Sequence, residues 1–454
     1  MSEPPYSRGR GDAAPDYTTG RAVHFYIPLV IQAVSQSFTY PLVATVVSHG
    51  AGGVADYGAF AQGLAVFNLL AALGSGLITT GMVYGRSRAG YRHYLRLSFL
   101  FMAVIGGGQL LFALPPLDGV IFERLLALDP AMRRIARDTL LFCIPVNLLF
   151  LLRNPYQAIL YNARASAAAN AATLGRIGAT LLLSFLFVRA GFVGHYAGIV
   201  AFTLPVVGEC AVSRLLARPF IADLPPGDRM EAPVREQFLF CVPLSFGGLL
   251  LGFSGFMIAA FISRAADPVR MLPIHYVALG VINPLAFAAV RMQAVVLAFP
   301  QPDRRASRTF RFALVAGVVL AGVTLLGQVP AVARAYFGVV QNLATDDIPL
   351  ASHAMLAACV IPVIQALRGH AEGLAAWRKR PNAILAGQAV YLATLVCSLF
   401  IFLNLGVPGY LMGAYSITAA ITATFLTIRM GLAWCDFEDR AAAYALRRTD
   451  ADRL

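Results

Sequence analysis

Lysine is nearly missing from this sequence. Of 36 basic residues only Lys379 is a lysine, and charged residues of both signs make up 13% of the 454 positions. A water-soluble domain carries about 25% charged and roughly 45–50% apolar residues. This scarcity of charge, with 58% apolar residues and a mean hydropathy of +0.68, excludes a soluble globular chain. The preference for arginine reads as base composition of the gene. Cysteine is sparse and scattered: Cys143, Cys210, Cys241, Cys359, Cys397 and Cys435 stand singly in apolar runs. That spacing offers neither a metal site nor a disulfide framework. The stretch Met1–Arg21 lacks the apolar core and small-residue cleavage site of a signal peptide. There is no Gly-x4-Gly-Lys-Ser/Thr phosphate loop. Gly106, Gly107 and Gly108 fall inside an apolar run, where small residues serve close helix packing. No Ser-His-Asp spacing or carboxylate cluster suggests an enzyme, and no cofactor is expected.

What fills the chain is apolar runs long enough to cross a bilayer, each needing about 20 residues. The pattern predicts twelve, over 23–48, 55–84, 93–114, 136–160, 165–188, 194–217, 235–263, 271–299, 310–330, 350–373, 381–404 and 409–434. The net charge of +13 would suggest nucleic acid in a soluble protein. Here the arginines sit in breaks between runs, so membrane topology explains them and no nucleic-acid partner is expected. Arg86, Arg88, Arg92, Arg96, Arg164, Arg214, Arg218, Arg304, Arg305, Arg308, Arg378 and Arg380 cluster on one set of loops and span ends, together with the tails. By the positive-inside rule both termini are cytoplasmic, in the inner membrane of a bacterium. Leu117–Asp138, on the opposite side, reads as an amphipathic interfacial helix.

The sequence repeats itself. Pro28 in Phe-Tyr-Ile-Pro-Leu and Pro243 in Phe-Cys-Val-Pro-Leu are separated by 243 − 28 = 215 positions. The same offset links Arg96 to Arg311, Arg153 to Arg368, Gly194 to Gly409, Gly198 to Gly413 and Arg214 to Arg429. Six spans per unit make the repeat parallel, with a pseudo-two-fold axis along the membrane normal. The expected fold is all-α and integral to the membrane, with two six-helix lobes at 23–217 and 235–434. A linker at 218–234, a disordered tail at 1–22 and a second tail at 435–454 complete the division.

Ala55-Asp56-Tyr57-Gly58 leads to Val83-Tyr84-Gly85-Arg86 in the second span; Phe261-Ile262-Ser263-Arg264 follows the Pro243 helix. Arg368-Gly369-His370-Ala371-Glu372-Gly373-Leu374, Trp377-Arg378-Lys379-Arg380 and Leu405-Gly406-Val407-Pro408-Gly409-Tyr410 come later. Together these resemble the progressive ankylosis protein family, an outlying MATE-like branch of the multidrug/oligosaccharidyl-lipid/polysaccharide (MOP) exporter superfamily. The resemblance implies secondary-active export of a small anion such as pyrophosphate, nucleotide or citrate, by alternating access between the lobes. A flippase for lipid-linked anionic head groups and a cation-coupled multidrug extruder are the alternatives.

Polar groups inside spans are costly, about 2.5–3.5 kcal/mol for a central charge, and mark cavities or partners. Arg176 and Arg291 lie deep in spans 5 and 8 with no acidic residue one turn away, and are the leading candidates for an anion-attracting cavity. The repeat mates Arg153 and Arg368 are each followed four residues on by a partner, Gln157 and Glu372, on the same helix face. Gln36, Asn68, His275 and Asn283 are candidate polar substrate contacts. Glu209 is the best carboxylate for a coupling proton or sodium ion, or else a salt-bridge partner of Arg176 or Arg214. Glu372 is a second coupling or gating candidate. Pro28 and Pro41 in the first helix of one lobe and Pro243 in the first helix of the other remove backbone donors, where a hinge would change access.

Overall fold

The computed structural model describes residues 17–451 apart from 127, 228–230, 301–305 and 342, and for 54, 269 and 436–451 the backbone alone. Among the described residues every regular element is helical. Twelve are long and apolar enough to cross a membrane. They are Thr19–Ser48, Ala55–Tyr84, Arg88–Ala113, Pro130–Asn162, Ser166–Arg189 and His195–Ala222, then Val234–Ile262, Arg270–Ala298, Ser307–Gln328, Thr345–Trp377, Pro381–Asn404 and Gly409–Cys435. We number them spans 1 to 12. The side of the membrane holding both chain ends is called the terminal side, and the other the far side.

Local chemistry sets the helix ends. Ser87 accepts a hydrogen bond from the Gly90 N–H, and Asp129 accepts from Ala131 and Met132 ahead of Pro130. Each supplies a side-chain acceptor to amides that no helical carbonyl reaches. Prolines open the helices at Pro130, Pro268 and Pro381, where the missing N–H costs nothing.

The repeat is written into the backbone. Arg164 and Lys379 both adopt left-handed φ, 59° and 55°, and Gly191 and Gly406 do so at 68° and 67°. Each pair is 215 positions apart. A short π-helical turn at Gly119–Leu125 recurs at Arg334–Val340 with the same offset.

Four details depart from the sequence-based reading. The first helix begins at Thr19, inside the stretch expected to be a tail, with Thr18 as its cap; residues 1–16 lie outside the described residues. The linker is shorter than expected, since helix runs to Ala222 and resumes at Val234. The last helix continues unbroken to Ala451. The interfacial helix of Leu117–Asp138 is two pieces, the π-helical turn and a helix from Pro130 that continues into span 4. Asp129 and Pro130 start that second helix and so divide the segment.

Spans 1 and 7 are interrupted at Ser37–Phe38 and at Phe253, while Pro28 and Pro243 lie inside unbroken helices. The break at Ser37–Phe38 lies one turn before Pro41, as proline chemistry allows, whereas the break at Phe253 falls about three turns to the far side of Pro243, next to Gly252. Phe38 and Phe253 are again 215 positions apart.

The halves meet through helix Thr19–Gln36 against Pro268–Val290 and Val234–Gly252 against Gly76–Tyr84. At the second crossing a side chain on Gly76 would lie 2.8 Å from the Cys241 carbonyl oxygen, so glycine is required for the approach. Hydrogen bonds joining the halves include Tyr26 to the Ala288 carbonyl, Gln293 to Thr79, and Arg86 to the Leu297 carbonyl. These lie in the terminal-side half of the membrane. The far-side pieces Thr39–Ser48 and Ser254–Ile262 pack chiefly within their own halves. The molecule is closed on its terminal side and parted on its far side.

Candidate functional site

The buried charge of the first half converges on one carboxylate. Glu209, on span 6, is 2% exposed. Its Oε1 accepts from Arg153 Nη1 of span 4 at 2.8 Å and from Thr173 Oγ1 of span 5 at 2.6 Å. Its Oε2 lies 2.9 Å from Arg176 Nε, a charge contact rather than an aligned hydrogen bond. Arg176 Nη1 donates to Thr39 Oγ1 at 3.1 Å, and both guanidiniums stack near Phe150. Outside this core runs a chain of neutral bonds. Tyr161 donates to Gln32 Oε1 and Gln32 Nε2 donates to Thr173, each at 2.9 Å.

Two arginines share one glutamate, so the cluster carries a net positive charge in a low-dielectric setting. Arg153 Nε, Gln157 Nε2 and Asn170 Oδ1 are buried without a hydrogen-bond partner. Such atoms in a native interior normally mark water or a ligand.

The second half repeats the plan with different residues. Arg368 Nε donates to Glu372 Oε1 at 3.0 Å, the i,i+4 pair anticipated from spacing. Tyr391 occupies the repeat position of Arg176 and lies beside Ser254 and Arg368, much as Arg176 lies beside Thr39 and Arg153. The position equivalent to Glu209 is the buried Thr424. The second cluster is thus neutral.

Arg291 stands between the two. It ends helix Pro268–Val290 at the break before Met292–Ala298, and is half-buried. Among the described residues no carboxylate pairs with it. It lies close enough to Tyr161, in the other half, to act electrostatically on that hydroxyl.

Helix packing decides how the expected residues pair. Arg176 has no acidic residue one turn away but meets Glu209 on the next helix, one of the two salt-bridge roles expected of that carboxylate. Arg153 pairs with Glu209 and not with Gln157, because span 6 packs directly on span 4. Gln32 rather than Gln36 reaches the cluster; Gln36 is half-buried with no side-chain hydrogen bond among the described residues. Asn68 is exposed and accepts from Tyr40 at 3.0 Å. Asn283 is exposed. His275 is 2% exposed and its ring lies against Gly413, within the second half. Thr39, Tyr161 and Thr173 were not anticipated, although Thr173 stands one turn before Arg176, a spacing that puts both on one face.

No protein-family model matches the chain, and no curated protein matches it. Solved structures do. One is an outward-facing conformation of a multidrug resistance MATE family transporter of the MOP superfamily, with TM-score 0.72 at 17% identity, covering 91% of this chain and 96% of that one. The fold is the MATE fold. A MATE transporter in the bent conformation matches at TM-score 0.70 and 18% identity, over 95% of this chain and 96% of that one. A MOP superfamily transporter from Pyrococcus furiosus, described as having a binding pocket of reverse polarity that suggests a different function, matches at TM-score 0.68 and 17% identity. It covers 91% of this chain and 96% of that one.

Proposed function

We propose that the chain is a secondary-active exporter that moves a small anionic metabolite by alternating access between its two halves. Arg291 carries the reading: a half-buried guanidinium with no carboxylate partner among the described residues, at a helix break between the two halves. With it stand Arg153, Arg176 and Arg368 against Glu209 and Glu372, four arginines to two glutamates. A cleft with that balance attracts anions and repels the cations that drug extruders move. Three more arginines sit at the terminal-side mouth. Burial, and then Arg86 and Arg21, hold the Arg164 guanidinium below its usual range, so this mouth is also a region of crowded positive charge.

The parted far side represents the outward-open state. The arginine-rich loops support a terminal side that faces the cytoplasm, in a bacterial inner membrane. Glu209 is the coupling residue. When it takes a proton, Arg153 and Arg176 lose their counter-ion and their donors become free for substrate oxygens. A sodium ion is the alternative, bound at the same carboxylate. Within the superfamily the progressive ankylosis branch fits this charge balance, and the pyrophosphate, nucleotide or citrate class is the substrate range. The reverse-polarity transporter of Pyrococcus furiosus gives a precedent for this fold with an altered pocket.

The deciding experiment is transport in proteoliposomes containing the purified chain. Labelled pyrophosphate, ATP and citrate are compared with a cationic dye under imposed proton and sodium gradients. Gradient-dependent movement of an anion, lost in Arg291→Gln, supports the reading. Movement of the dye with no anion transported makes the chain a cation-coupled extruder instead, the second reading that the fold likeness favours.

A further inference from the structure

Four helices in this molecule end in the same left-handed turn, and they use two different residue types. At Gly191 and Gly406, on the far side, the turn is made by glycine. At Arg164 and Lys379, on the terminal side, it is made by a long cation. The backbone bonds are the same in each. Ala165 N–H reaches the Leu160 carbonyl and Arg380 N–H the Ala375 carbonyl, as Phe192 reaches Phe187 and Val407 reaches Phe402. Glycine is the usual occupant, because a side chain there costs about 1 kcal/mol or more. Two repeats that both accept this strain on one side only point to work done by the side chains.

Those side chains cross to the opposite half. Arg164 Cζ lies 4.9 Å above the Phe299 ring, and Arg164 Nε donates to the Ala298 carbonyl at 3.1 Å. Lys379 Nζ lies 4.6 Å above the Tyr84 ring. Phe299 and Tyr84 are themselves repeat mates, at the terminal-side ends of spans 8 and 2. Each ring then packs edge-on against an aromatic of the other half, Phe299 on Phe25 at 5.7 Å and Tyr84 on Phe240 at 5.3 Å. Phe25 and Phe240 are mates as well. Cation, ring and second ring therefore occur twice, and every ring contact bridges the halves.

We propose that Arg164 and Lys379 are paired latches that hold the halves together on the terminal side by stacking on Phe299 and Tyr84. The inference goes beyond the transport reading and rests on its alternating-access part, but not on the substrate. The latches are unequal. Arg164 is half-buried and also bonds a helix-end carbonyl. Lys379 is exposed and held by Glu236 at 3.2 Å, which Tyr84 also contacts at 3.2 Å. The Lys379 latch is the one that releases first. The single lysine of the chain thus stands where a weaker, more hydrated cation than arginine is wanted.

The test is accessibility rather than transport. Thr79, 8% exposed and bonded to Gln293 across the halves, lies just behind Tyr84. Thr79→Cys is introduced into a cysteine-free background and labelled with an impermeant maleimide from the terminal side. Arg164→Gln and Phe299→Leu should each raise the labelling rate about fivefold, the size expected for one cation–π contact. Lys379→Gln should raise it less, and the double cation variant more than either. Lys379→Arg, which keeps the cation and stacks more strongly, should label no faster than the parent. Lys379→Gln carries no folding risk, because the side chain is exposed. If it and a monodisperse Arg164→Gln both label at the parent rate, the latch is refuted, whether or not any anion is transported. If Arg164→Gln misfolds, an unchanged rate in Lys379→Gln alone refutes the pairing.

Discussion

Glu209 Oε2 sits 2.9 Å from Arg176 Nε while Glu209 Oε1 sits 2.8 Å from Arg153 Nη1, so one buried carboxylate is the shared counter-ion of two guanidiniums from two different helices. Breaking a buried pair by removing one partner costs about 3–5 kcal/mol, because the remaining charge is left without compensation. The two sides of this triad are not equivalent. Without Arg176, Glu209 still has Arg153 and Thr173; without Glu209, both arginines face each other unpaired.

Glu209→Gln should therefore lower the thermal unfolding temperature in detergent more than Arg176→Gln does. The double variant should recover part of the loss, since it removes one of the two stranded cations. Thermal unfolding of the parent, both singles and the double variant reads this directly. Equal midpoints for Glu209→Gln and the parent would mean that the carboxylate does not hold the cluster.

Arg291 makes the opposite prediction, because among the described residues no carboxylate pairs with it. Arg291→Gln should leave the unfolding midpoint near that of the parent and reduce anion transport by tenfold or more. Arg291→Lys should be gentler if charge alone attracts the anion. It should be nearly as damaging if the guanidinium fork binds two oxygens at once. A folded Arg291→Gln that transports at the parent rate removes the main support for an anion site.

Periodicity and repeat made the architecture legible. Twelve apolar runs became twelve spans, and the offset from Pro28 to Pro243 recurs in the helix ends, the left-handed turns and the π-helical turns. Within one helix, spacing was also sufficient: Arg368 and Glu372 pair as i and i+4 residues do. Between helices it was not. Arg153 finds Glu209 56 positions away, and Gln32 finds Thr173 141 positions away. Which helix faces which is decided by packing, and a linear pattern holds no record of it. The break at Phe38 was legible through Pro41, three residues on, which leaves the Ser37 carbonyl without its helical donor. The break at Phe253 was missed because Gly252 beside it is one of many glycines in the apolar runs.

The repeat mates Gly198 and Gly413 are small for different local reasons. A side chain on Gly198 would run into Val47, and one on Gly413 into the His275 ring. Overpacking a tight contact costs about 1–3 kcal/mol. Gly413→Ala should lower the unfolding midpoint, and His275→Ala in the same chain should restore part of it. Gly198→Ala should be relieved by Val47→Ala in the same way. If His275→Ala gives Gly413→Ala no relief, the ring is not what keeps that position small.

The assignment of sides can be tested apart from any substrate. Asp129 and Asp346 are exposed in far-side connections, and Ser307 and Arg380 are exposed at the terminal-side ends of spans 9 and 11. Ser87 is a poor reporter, since it is 6% exposed and its hydroxyl caps Gly90. Single cysteines at the four exposed positions, in a cysteine-free background, are treated with an impermeant thiol reagent in intact cells and in inverted vesicles. With arginine-rich loops retained in the cytoplasm, Asp129→Cys and Asp346→Cys should label in cells, and Ser307→Cys and Arg380→Cys only in inverted vesicles. The two far-side positions belong to different halves, as do the spans they follow in the repeat. Labelling of one from each side would contradict a parallel repeat, and reversal of all four would keep the fold but invert the direction in which the parted cleft faces.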